Sequence, residues 1–451
     1  MSVSPDTSQR VVIVGGGAFG LSVALELSQR GYDNIVVLDR HVPPVPDGSS
    51  VDISRIIRFD YGDAVYAKLA KEAYDLWTSS PLYSQAFHST PFALTAANPS
   101  GRAYVDKCTQ SLDTLGLPWQ SMQDAMDARR QFPALSGPLA QPDFHGYVNR
   151  QAGWADSQQA IALLRDRCLE AGVSFICGRR GTVTELMTES RSRKIHALRT
   201  LSNDVIPGDI FILAAGAWSS SLVPMYNTTL STAQVLAFMK MNDVEMKRYE
   251  DLPIYMNFSS GFFCFPTHPQ TGYLKFVIHG LGYTRTETES TNAGEREVSV
   301  AREQRPTSDS KSLSTPPWMP RNQRSNFAPE DGLQRLRAGV QEALPELASR
   351  EFDLATTCWY TDTPTGDFIV DYHKDYANLF LATGGSGHAF KFLPVLGKYL
   401  ADGFQRSLPT DMQEKWRFRW ESAQNESAFR GDGSRGGPAR REFTMQEKAK
   451  L

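Results

Sequence analysis

The segment from Arg10 to Asp39 constrains the fold most, because it predicts a strand, a glycine turn, a helix and a second strand in immediate succession. Gly15, Gly17 and Gly20 follow the spacing G-x-G-x-x-G after the apolar run VVIV. Glycine at these positions permits a tight turn, close approach of the backbone to a pyrophosphate, and close contact of helix and strand. Asp39 ends the second strand, where its carboxylate can accept a hydrogen bond from a ribose hydroxyl. The segment predicts a dinucleotide-binding α/β unit, and a glycine-rich connection without a ligand is the alternative.

Length and composition indicate a globular protein with a sizeable core and two domains. The chain has 451 residues, of which 41% are hydrophobic and 22% charged. A net charge of −3 offers no basic field for nucleic acid. The five cysteines form no CxxC pair or zinc spacing, so we expect a reducing compartment, no disulfide framework and no metal site. No apolar run reaches the roughly 18–20 residues that span a bilayer, so no membrane partner is expected.

The last three residues, Ala449, Lys450 and Leu451, form a variant of the Ser-Lys-Leu peroxisomal address. An import receptor binds this address at a free, flexible C-terminus. The preceding segment is polar and rich in Gly and Arg, so we expect the end to be accessible. An accidental ending is the alternative. The expected location is peroxisomal, and otherwise cytoplasmic.

Strand and helix patterns recur in separated parts of the chain. Helical spacing over Ser157–Ala171 precedes the strand VSFIC, while DIFIL, DFIVDYH and NLFLATGG are further strand patterns. The stretch 225–285 alternates like an antiparallel sheet. We therefore predict an α/β fold with a discontinuous Rossmann-type domain and an α+β substrate domain that contains an antiparallel sheet. The Rossmann-type domain is expected at 1–60, 150–225 and 350–451, and the substrate domain at 61–149 and 226–349, with an exposed polar insertion at 287–324.

The first glycine turn does not distinguish NAD from FAD. A second turn, LAAGAWS at Leu213–Ser219, resembles the segment that returns to the flavin in FAD-dependent oxidoreductases. Four further motifs are DISRIIRFDYGD, GYLKFVIHG, GGSGHAFKFLP and CWYTDT. Together they resemble the FAD-dependent amine oxidases that include monomeric sarcosine oxidase, pipecolate and saccharopine oxidases, and the fructosyl amino acid oxidases (amadoriases). The resemblance extends from Arg10 to about Phe404, leaves out the polar insertion, and implies FAD as the cofactor.

The motif DISRIIRFDYGD contains two arginines three positions apart. The resemblance implies that Arg55 lies near the flavin ring and takes part in catalysis, and that Arg58 binds the substrate carboxylate. A planar guanidinium suits a carboxylate better than an ammonium does. Without the resemblance, an arginine pair on a solvated helix or loop is the alternative. Amadoriases have Lys at the position of Arg55, so this motif favours the other members of the family.

The motif GYLKFVIHG contains Lys275 and His279. Lys275 resembles the lysine that promotes the reaction of reduced flavin with oxygen, where a fixed positive charge stabilises developing superoxide. Residues four apart on a strand share a face, so His279 is expected in the same pocket. A structural role is the alternative for His279, although sarcosine oxidases also have histidine here and amadoriases an acid. Phe263 replaces a Tyr of sarcosine oxidase, which favours a bulkier or less polar substrate.

The motif GGSGHAFKFLP begins with a glycine turn. The resemblance implies that Gly384, Gly385 and Gly387 let backbone N–H groups approach the flavin, with His388 beside them. Lys391 resembles the lysine that joins the arginine in holding the substrate carboxylate. An exposed surface lysine is the alternative for Lys391.

Cys358, in CWYTDT, matches the cysteine that forms a thioether to the flavin 8α-methyl group in this family. Such a bond requires a thiolate. By the usual habits of a lone cysteine, a buried inert thiol is the alternative. The complete set of expected cofactor contacts is Gly15, Gly17, Ala18, Phe19, Gly20, Asp39, Arg40, Ser50, Arg55, Val183, Ala215, Gly216, Trp218, Cys358, Gly385, Gly387, His388 and Lys391.

The resemblance implies oxidation of a secondary-amine amino acid to an imine that hydrolyses, with oxygen as electron acceptor and hydrogen peroxide as product. Saccharopine, pipecolate and N-methyl amino acids are the first substrate hypothesis. Amadoriase activity is the close alternative, and a secondary-metabolism oxidase that makes a reactive imine is the third. A non-enzymatic flavoprotein is the alternative from another class. We expect a monomer whose partners are the amino acid substrate, O2 and the import receptor.

Overall fold

The computed structural model describes residues 6–189, 193–287, 313–318, 324–422 and 428–451. Its helices are α1 (Ala18–Gln29), α2 (Ala64–Ser79), α3 (Pro99–Thr114), α4 (Ala125–Gln131), α5 (Ser157–Glu170), α6 (Ser219–Leu222), α7 (Asp243–Arg248), α8 (Glu330–Ala343), α9 (Leu393–Phe404), α10 (Thr410–Trp416) and α11 (Met445–Lys448). Its first twelve strands are β1 (Val11–Val14), β2 (Ile35–Asp39), β3 (Arg55–Ile57), β4 (Phe87–Ser89), β5 (Phe92–Ala96), β6 (Gln120–Met122), β7 (His145–Asn149), β8 (Gly153–Ala155), β9 (Ser174–Cys177), β10 (Val183–Thr188), β11 (Ile195–Thr200) and β12 (Val205–Pro207). The others are β13 (Ile210–Leu213), β14 (Leu230–Lys240), β15 (Ile254–Asn257), β16 (Phe262–Cys264), β17 (Tyr273–Ile278), β18 (Tyr283–Thr284), β19 (Thr286–Glu287), β20 (Leu313–Ser314), β21 (Leu354–Asp362), β22 (Ile369–Tyr372), β23 (Leu379–Thr383) and β24 (Arg441–Glu442).

A six-stranded sheet in the order β22-β23-β13-β1-β2-β9 contains the predicted dinucleotide-binding segment. Five strands run parallel, and β22 runs antiparallel to β23. Every residue of β1 is buried, as the apolar run VVIV predicted. The two faces of β1 pack against different core clusters. Val11 and Ile13 pack into the cluster that contains Leu21 of α1, and Val12 packs into the cluster that contains Leu198 of the small β10-β11-β12 sheet.

A second, ten-stranded sheet has the order β24-β18-β14-β17-β16-β15-β5-β7-β6, with β21 also paired to β14. Most pairings are antiparallel, and the two exceptions are β15 with β5 and β18 with β24. The long strand β14 pairs Phe238 with Lys275 of β17, and Gln234 with Cys358 of β21. It therefore fixes the two strands that carry these predicted site residues. The predicted combination of an α/β fold with an antiparallel sheet is confirmed.

Residues 428–451 dock on the fold, which their polar, Gly- and Arg-rich composition did not predict, although Ala449 and Lys450 at the end of the chain are exposed. Strand β24 pairs with β18, and the Phe443 ring stacks on Tyr283 with a centroid separation of 5.1 Å. Arg435 forms an ion pair with Asp362 in which both side chains are at most 4% exposed. Even Leu451 packs against a core cluster. These partners lie far away in the sequence, so composition alone could not reveal them.

The polar insertion predicted at 287–324 lies largely outside the described residues. Its described parts include β20, which pairs antiparallel with β19. In the part of the chain that the structure covers, no helix is long and apolar enough to cross a membrane.

Candidate active site

One continuous cavity runs from the first glycine turn to the face of the ten-stranded sheet. It brings together all but two of the residues that the sequence analysis assigned to cofactor, substrate or catalysis, and the two exceptions are Gly20 and Gly384. The residues that line it are Gly15, Gly17, Ala18, Phe19, Asp39, Arg40, Ser50, Arg55, Arg58, Val183, Ala215, Gly216, Trp218, Phe263, Lys275, His279, Cys358, Gly385, Gly387, His388 and Lys391. Gly20 lies behind the turn, where a Cβ atom would be 1.8 Å from the carbonyl oxygen of Gly15.

The first glycine turn forms a close-fitting concave surface at one end of the cavity. Gly15 has a φ of +110°, and a Cβ atom there would lie 2.3 Å from the Ala214 carbonyl oxygen. A Cβ atom on Gly17 would lie 2.8 Å from Ser50 Oγ, which also accepts a hydrogen bond from Ala18 N at 2.9 Å. Side chains would therefore fill the space that the backbone leaves open. A cradle of this form fits a pyrophosphate group.

Two charged residues, Asp39 and Arg40, lie at the end of β2 next to the glycine turn. Asp39 Oδ2 accepts a hydrogen bond from Gly16 N at 2.6 Å, and burial raises the pKa of this carboxyl. Arg40 forms an ion pair with Asp47 at 2.7 Å, and its guanidinium lies 4.2 Å from the centroid of the Trp218 ring. The second glycine turn, which contains Trp218, is thereby held against the end of β2.

The turn after β23 approaches the cavity from the other side. Gly384 and Gly387 both have a φ of +74°, which favours glycine. A Cβ atom on Gly387 would lie 2.3 Å from the Tyr360 ring. His388 follows, and its Nδ1 lies 2.9 Å from Tyr61 Oη. Together with the glycine cradle and the second turn, this third backbone approach fits a long dinucleotide such as FAD.

Asp52 is a buried carboxylate surrounded by three cations. Its Oδ2 lies 2.7 Å from Lys275 Nζ and 3.8 Å from Arg324 Nη1, and it also contacts the Arg55 guanidinium. Burial alone would raise the pKa of Asp52, but these cations outweigh burial and hold that pKa well below its usual range. Lys275 also donates to the carbonyl oxygen of Ser54 at 2.8 Å. Burial, reinforced by Arg55, lowers the pKa of Lys275 to about 7 although Asp52 opposes the change.

Arg58 and Lys391 form a second pair of buried cations, and each is 7% exposed. Arg58 lies over the rings of Tyr61, Phe92 and Phe258 at 5.1, 5.5 and 5.8 Å, and its Nη1 has no hydrogen-bond partner in the described chain. Lys391 Nζ donates to Tyr61 Oη and to the His388 carbonyl oxygen, each at 2.9 Å. Burial and the charge of Arg58 hold the pKa of Lys391 well below its usual range.

Neither cation of this second pair contacts a carboxylate within 4 Å among the described residues. The neighbouring Asp60 is buried and already accepts hydrogen bonds from Tyr147 and Asn149, each at 2.9 Å. An unsatisfied guanidinium nitrogen that faces a cavity is costly unless a ligand completes it. The arrangement can therefore bind an anion, and a carboxylate matches the planar guanidinium.

His279 lies just beyond the end of β17, on the cavity wall. Its Nε2 lies 3.2 Å from Ser434 Oγ, and its ring centroid lies 5.9 Å from that of Tyr360. Burial and the charge of Arg435 hold the pKa of His279 well below its usual range. Phe263, on β16, lines the same end of the cavity and packs on the ring edge of Phe265 at 5.7 Å.

Cys358 differs from the other four cysteines in its surroundings. Its Sγ lies 3.6 Å from Arg55 Nη2, and it lines the cavity. Burial raises the pKa of the thiols of Cys168 and Cys264 to about 12 and of Cys177 to about 11, and it raises that of Cys108 further. Cys358 is therefore the cysteine of the described chain whose sulfur contacts a guanidinium at the cavity lining.

Four of the cavity-lining residues that the sequence analysis did not assign take part in the polar interactions of the site. Asp52 and Tyr61 belong to the segment around DISRIIRFDYGD, where an acid three positions before Arg55 was an available signal. Asp432 and Ser434 come from the C-terminal segment, for which the composition had predicted exposure.

Comparison with known proteins decides the family. The family model described as FAD dependent oxidoreductase (DAO) matches residues 10–403. The chain belongs to the FAD-dependent oxidoreductase family. The chain is 28% identical over 437 residues to L-saccharopine oxidase of Schizosaccharomyces pombe. The aligned region covers 94% of this chain and 96% of that protein. It is 25% identical to monomeric sarcosine oxidase of Bacillus sp. (strain B-0618), with 87% of this chain and 90% of that protein covered.

The fold likeness to solved structures is equally extensive. The crystal structure of the fructosamine oxidase Amadoriase II from Aspergillus fumigatus superposes with a TM-score of 0.84 at 25% identity, over 97% of this chain and 96% of that chain. Family membership and these oxidase relatives indicate that the chain is a flavin-dependent amine oxidase with FAD as its cofactor. Within the described ranges, no group of three or more His, Cys, Asp or Glu side chains could hold a metal ion.

We predict that Asp52→Asn lowers the free energy of unfolding by about 3–5 kcal/mol, because it leaves buried cations without a counter-charge. In a Lys275→Met background the loss should be clearly smaller, since one of those cations is then absent. Urea denaturation of the four proteins of this cycle measures the difference. Asp106→Asn, in the exposed pair with His145, is the control and should change stability by less than about 1 kcal/mol. An equal loss in both backgrounds would contradict the predicted coupling.

Proposed function

We propose that this oxidase acts on the secondary amine of an N-substituted α-amino acid, giving an imine that water hydrolyses, with O2 as the final acceptor and hydrogen peroxide as product. The observation that carries the proposal is the pair of buried cations, Arg58 and Lys391, that have no carboxylate partner in the described chain. A substrate carboxylate supplies the missing charge. The FAD-dependent relatives that act on amino acids support the same class.

Some residues of the site bind the substrate, and others stabilise charge that develops during the reaction. Arg58 and Lys391 hold the carboxylate, which fixes the distance of the neighbouring amine from the cavity wall. Phe263 and Phe265 exclude water from the apolar side of the site. Lys275 places a positive charge where reduced oxygen species develop negative charge, and Arg55 adds to that field. When bound, FAD supplies the hydride acceptor and passes the electrons to oxygen.

Among substrates, we favour the saccharopine, pipecolate or N-methyl amino acid type. Arg55 and His279 support this choice because amadoriases carry Lys and an acid at the corresponding positions. The relative that acts on L-saccharopine supports it as well. Fructosyl amino acids are the second candidate, favoured by the fold likeness to the fructosamine oxidase structure. A peroxide assay over sarcosine, N-methyl aromatic amino acids, pipecolate, saccharopine and fructosyl-valine tests both, and turnover of fructosyl-valine alone would overturn the first choice.

We predict that Arg58→Met lowers kcat/KM for the best amino acid substrate about 10²- to 10³-fold, mainly through KM, because the substrate carboxylate loses a buried charged partner. Initial-rate measurements of peroxide release give both constants. The matched control is a secondary amine of similar size without a carboxylate, whose slow turnover should hardly change in the variant. If both substrates lose the same factor, Arg58 does not bind the carboxylate.

We further propose that Cys358 binds FAD covalently, since its sulfur lines the cavity beside the Arg55 guanidinium. Acid precipitation of the purified enzyme should leave the yellow flavin in the protein pellet. Cys358→Ser should release the flavin to the supernatant, whereas Cys264→Ser, a buried cysteine outside the cavity lining, should retain it. Flavin in the supernatant of the unaltered enzyme would disprove the linkage.

Peroxisomal delivery through Ala449, Lys450 and Leu451 stays a prediction, supported by the resemblance of these residues to the Ser-Lys-Leu address. Because Leu451 packs against the core, an import receptor has to release it from that contact. A fluorescent protein that ends in residues 440–451 should accumulate in peroxisomes, and Lys450→Glu should return it to the cytosol. Cytosolic fluorescence from both fusions would refute the signal.

A further inference from the structure

Two polar side chains of the C-terminal segment, Asp432 and Ser434, form a hydrogen-bonded chain with His279 on the cavity wall. Asp432 Oδ1 accepts hydrogen bonds from Ser434 N at 3.0 Å and from Ser434 Oγ at 2.5 Å. The other carboxylate oxygen accepts from Tyr104 Oη at 3.3 Å. Ser434 Oγ in turn lies 3.2 Å from His279 Nε2. The chain therefore runs from a carboxylate through one hydroxyl to an imidazole.

The direction of each hydrogen bond in this chain follows from the chemistry of its ends. An ionised carboxylate only accepts, so the single hydroxyl proton of Ser434 points to Asp432. The hydroxyl oxygen then has only lone pairs left for His279, and Nε2 has to be the donor. A neutral imidazole carries one proton, so Nδ1 is an acceptor. Nδ1 has no hydrogen-bond partner in the described parts of the chain, and the residue lines the cavity.

The geometry of the segment keeps this arrangement in place. Gly436 N donates to the carbonyl oxygen of His279 at 3.2 Å, and His279 N donates to the Gly261 carbonyl oxygen at 2.7 Å. Arg435 forms a buried ion pair with Asp362 and also donates to the carbonyl oxygen of Gly280 at 3.1 Å. The chain that follows Ser434 is thus tied to His279 and Gly280, just beyond the end of β17.

We propose that Asp432 and Ser434 are positioning residues that hold His279 as the Nε2–H tautomer, so that Nδ1 accepts a hydrogen bond from the N–H of the substrate's secondary amine. This inference rests on the proposed function. A neutral secondary amine has one N–H and one lone pair, and a bond from that N–H to Nδ1 orients the lone pair and the C–H bond to be broken. A tertiary amine has no N–H to offer. The hydrogen-bonded chain of Asp432, Ser434 and His279 therefore selects secondary over tertiary amines.

Nuclear magnetic resonance of the FAD-loaded enzyme with ¹⁵N-labelled histidine tests the tautomer directly, without turnover. The set of imidazole signals that disappears from the spectrum of the His279→Asn variant is assigned to His279. We expect His279 in the Nε2–H form in the unaltered enzyme. Asp432→Ala frees the Ser434 proton to point at Nε2, so this variant should shift His279 toward the Nδ1–H form. An Nδ1–H form in the unaltered enzyme, or an unchanged tautomer in Asp432→Ala, would overturn the proposal.

Kinetics test the consequence for selectivity. The quantity is the ratio of kcat/KM for the best secondary-amine substrate to that for its N-methylated tertiary counterpart. Ser434→Ala should lower this ratio about tenfold, the size of one hydrogen bond, while Ser434→Thr, which keeps the hydroxyl, should restore it. A ratio that Ser434→Ala leaves unchanged would refute the role of the chain. Thermal unfolding checks that both variants fold.

The two experiments separate this inference from the proposed function. If no amino acid reduces the flavin in the unaltered enzyme, the proposed function fails. The tautomer measurement still decides whether Asp432 and Ser434 fix His279, because it requires only the FAD-loaded protein.

Discussion

The buried carboxylate of Asp52 is the interaction on which the cavity wall depends. It brings together Lys275 from β17, Arg55 from the start of β3, and Arg324. Three like charges could not be buried together without it, because each would lose its hydration with no compensating partner. The guanidinium groups of Arg55 and Arg324 alone exceed the single negative charge of Asp52, and Arg55 also contacts the sulfur of Cys358.

Arg58 and Lys391 differ from the basic side chains around Asp52, because no buried carboxylate contacts them in the described chain. The structure gives them aromatic rings and hydroxyl partners but no carboxylate within 4 Å in the described chain, so a bound anion would compensate the charge of Arg58 and favour the charged form of Lys391. Proteins commonly accept such a local cost where function requires it. The rings of Tyr61, Phe92 and Phe258 reduce the cost by facing the guanidinium with their electron-rich surfaces.

Local patterns in the sequence predicted the parts of the site that depend on local geometry. The G-x-G-x-x-G turn and the turn after β23 carry their conformational requirement in the glycines themselves, and both turns lie as expected. Arg55 and Arg58 could be placed because they lie only three positions apart, with Arg55 at the start of β3 and Arg58 directly after its end. These features need no knowledge of distant contacts.

The rest could not be predicted because it depends on contacts between distant parts of the chain. Ser434 lies 155 positions from His279, and Lys275 lies 221 positions from its acceptor Ser54. A Gly- and Arg-rich segment predicts exposure by composition, yet the ion pair of Arg435 with Asp362 and the pairing of β24 dock it on the sheet. Asp52 was visible in the motif, but its three cationic partners come from separate elements.

Under the proposed function, the contrast between the two cationic clusters also bears on where an anionic substrate binds. Lys275 and Arg55 already share the carboxylate of Asp52, so a second carboxylate there would gain little and would face repulsion from the first. Arg58 and Lys391 have no carboxylate within 4 Å in the described chain, so neither side chain is already engaged in an ion pair. The proposed function therefore assigns the substrate carboxylate to Arg58 and Lys391, and leaves Lys275 for the proposed reaction with oxygen. In that proposal, the single acid at residue 52 separates the two pairs of basic side chains by occupying only one of them.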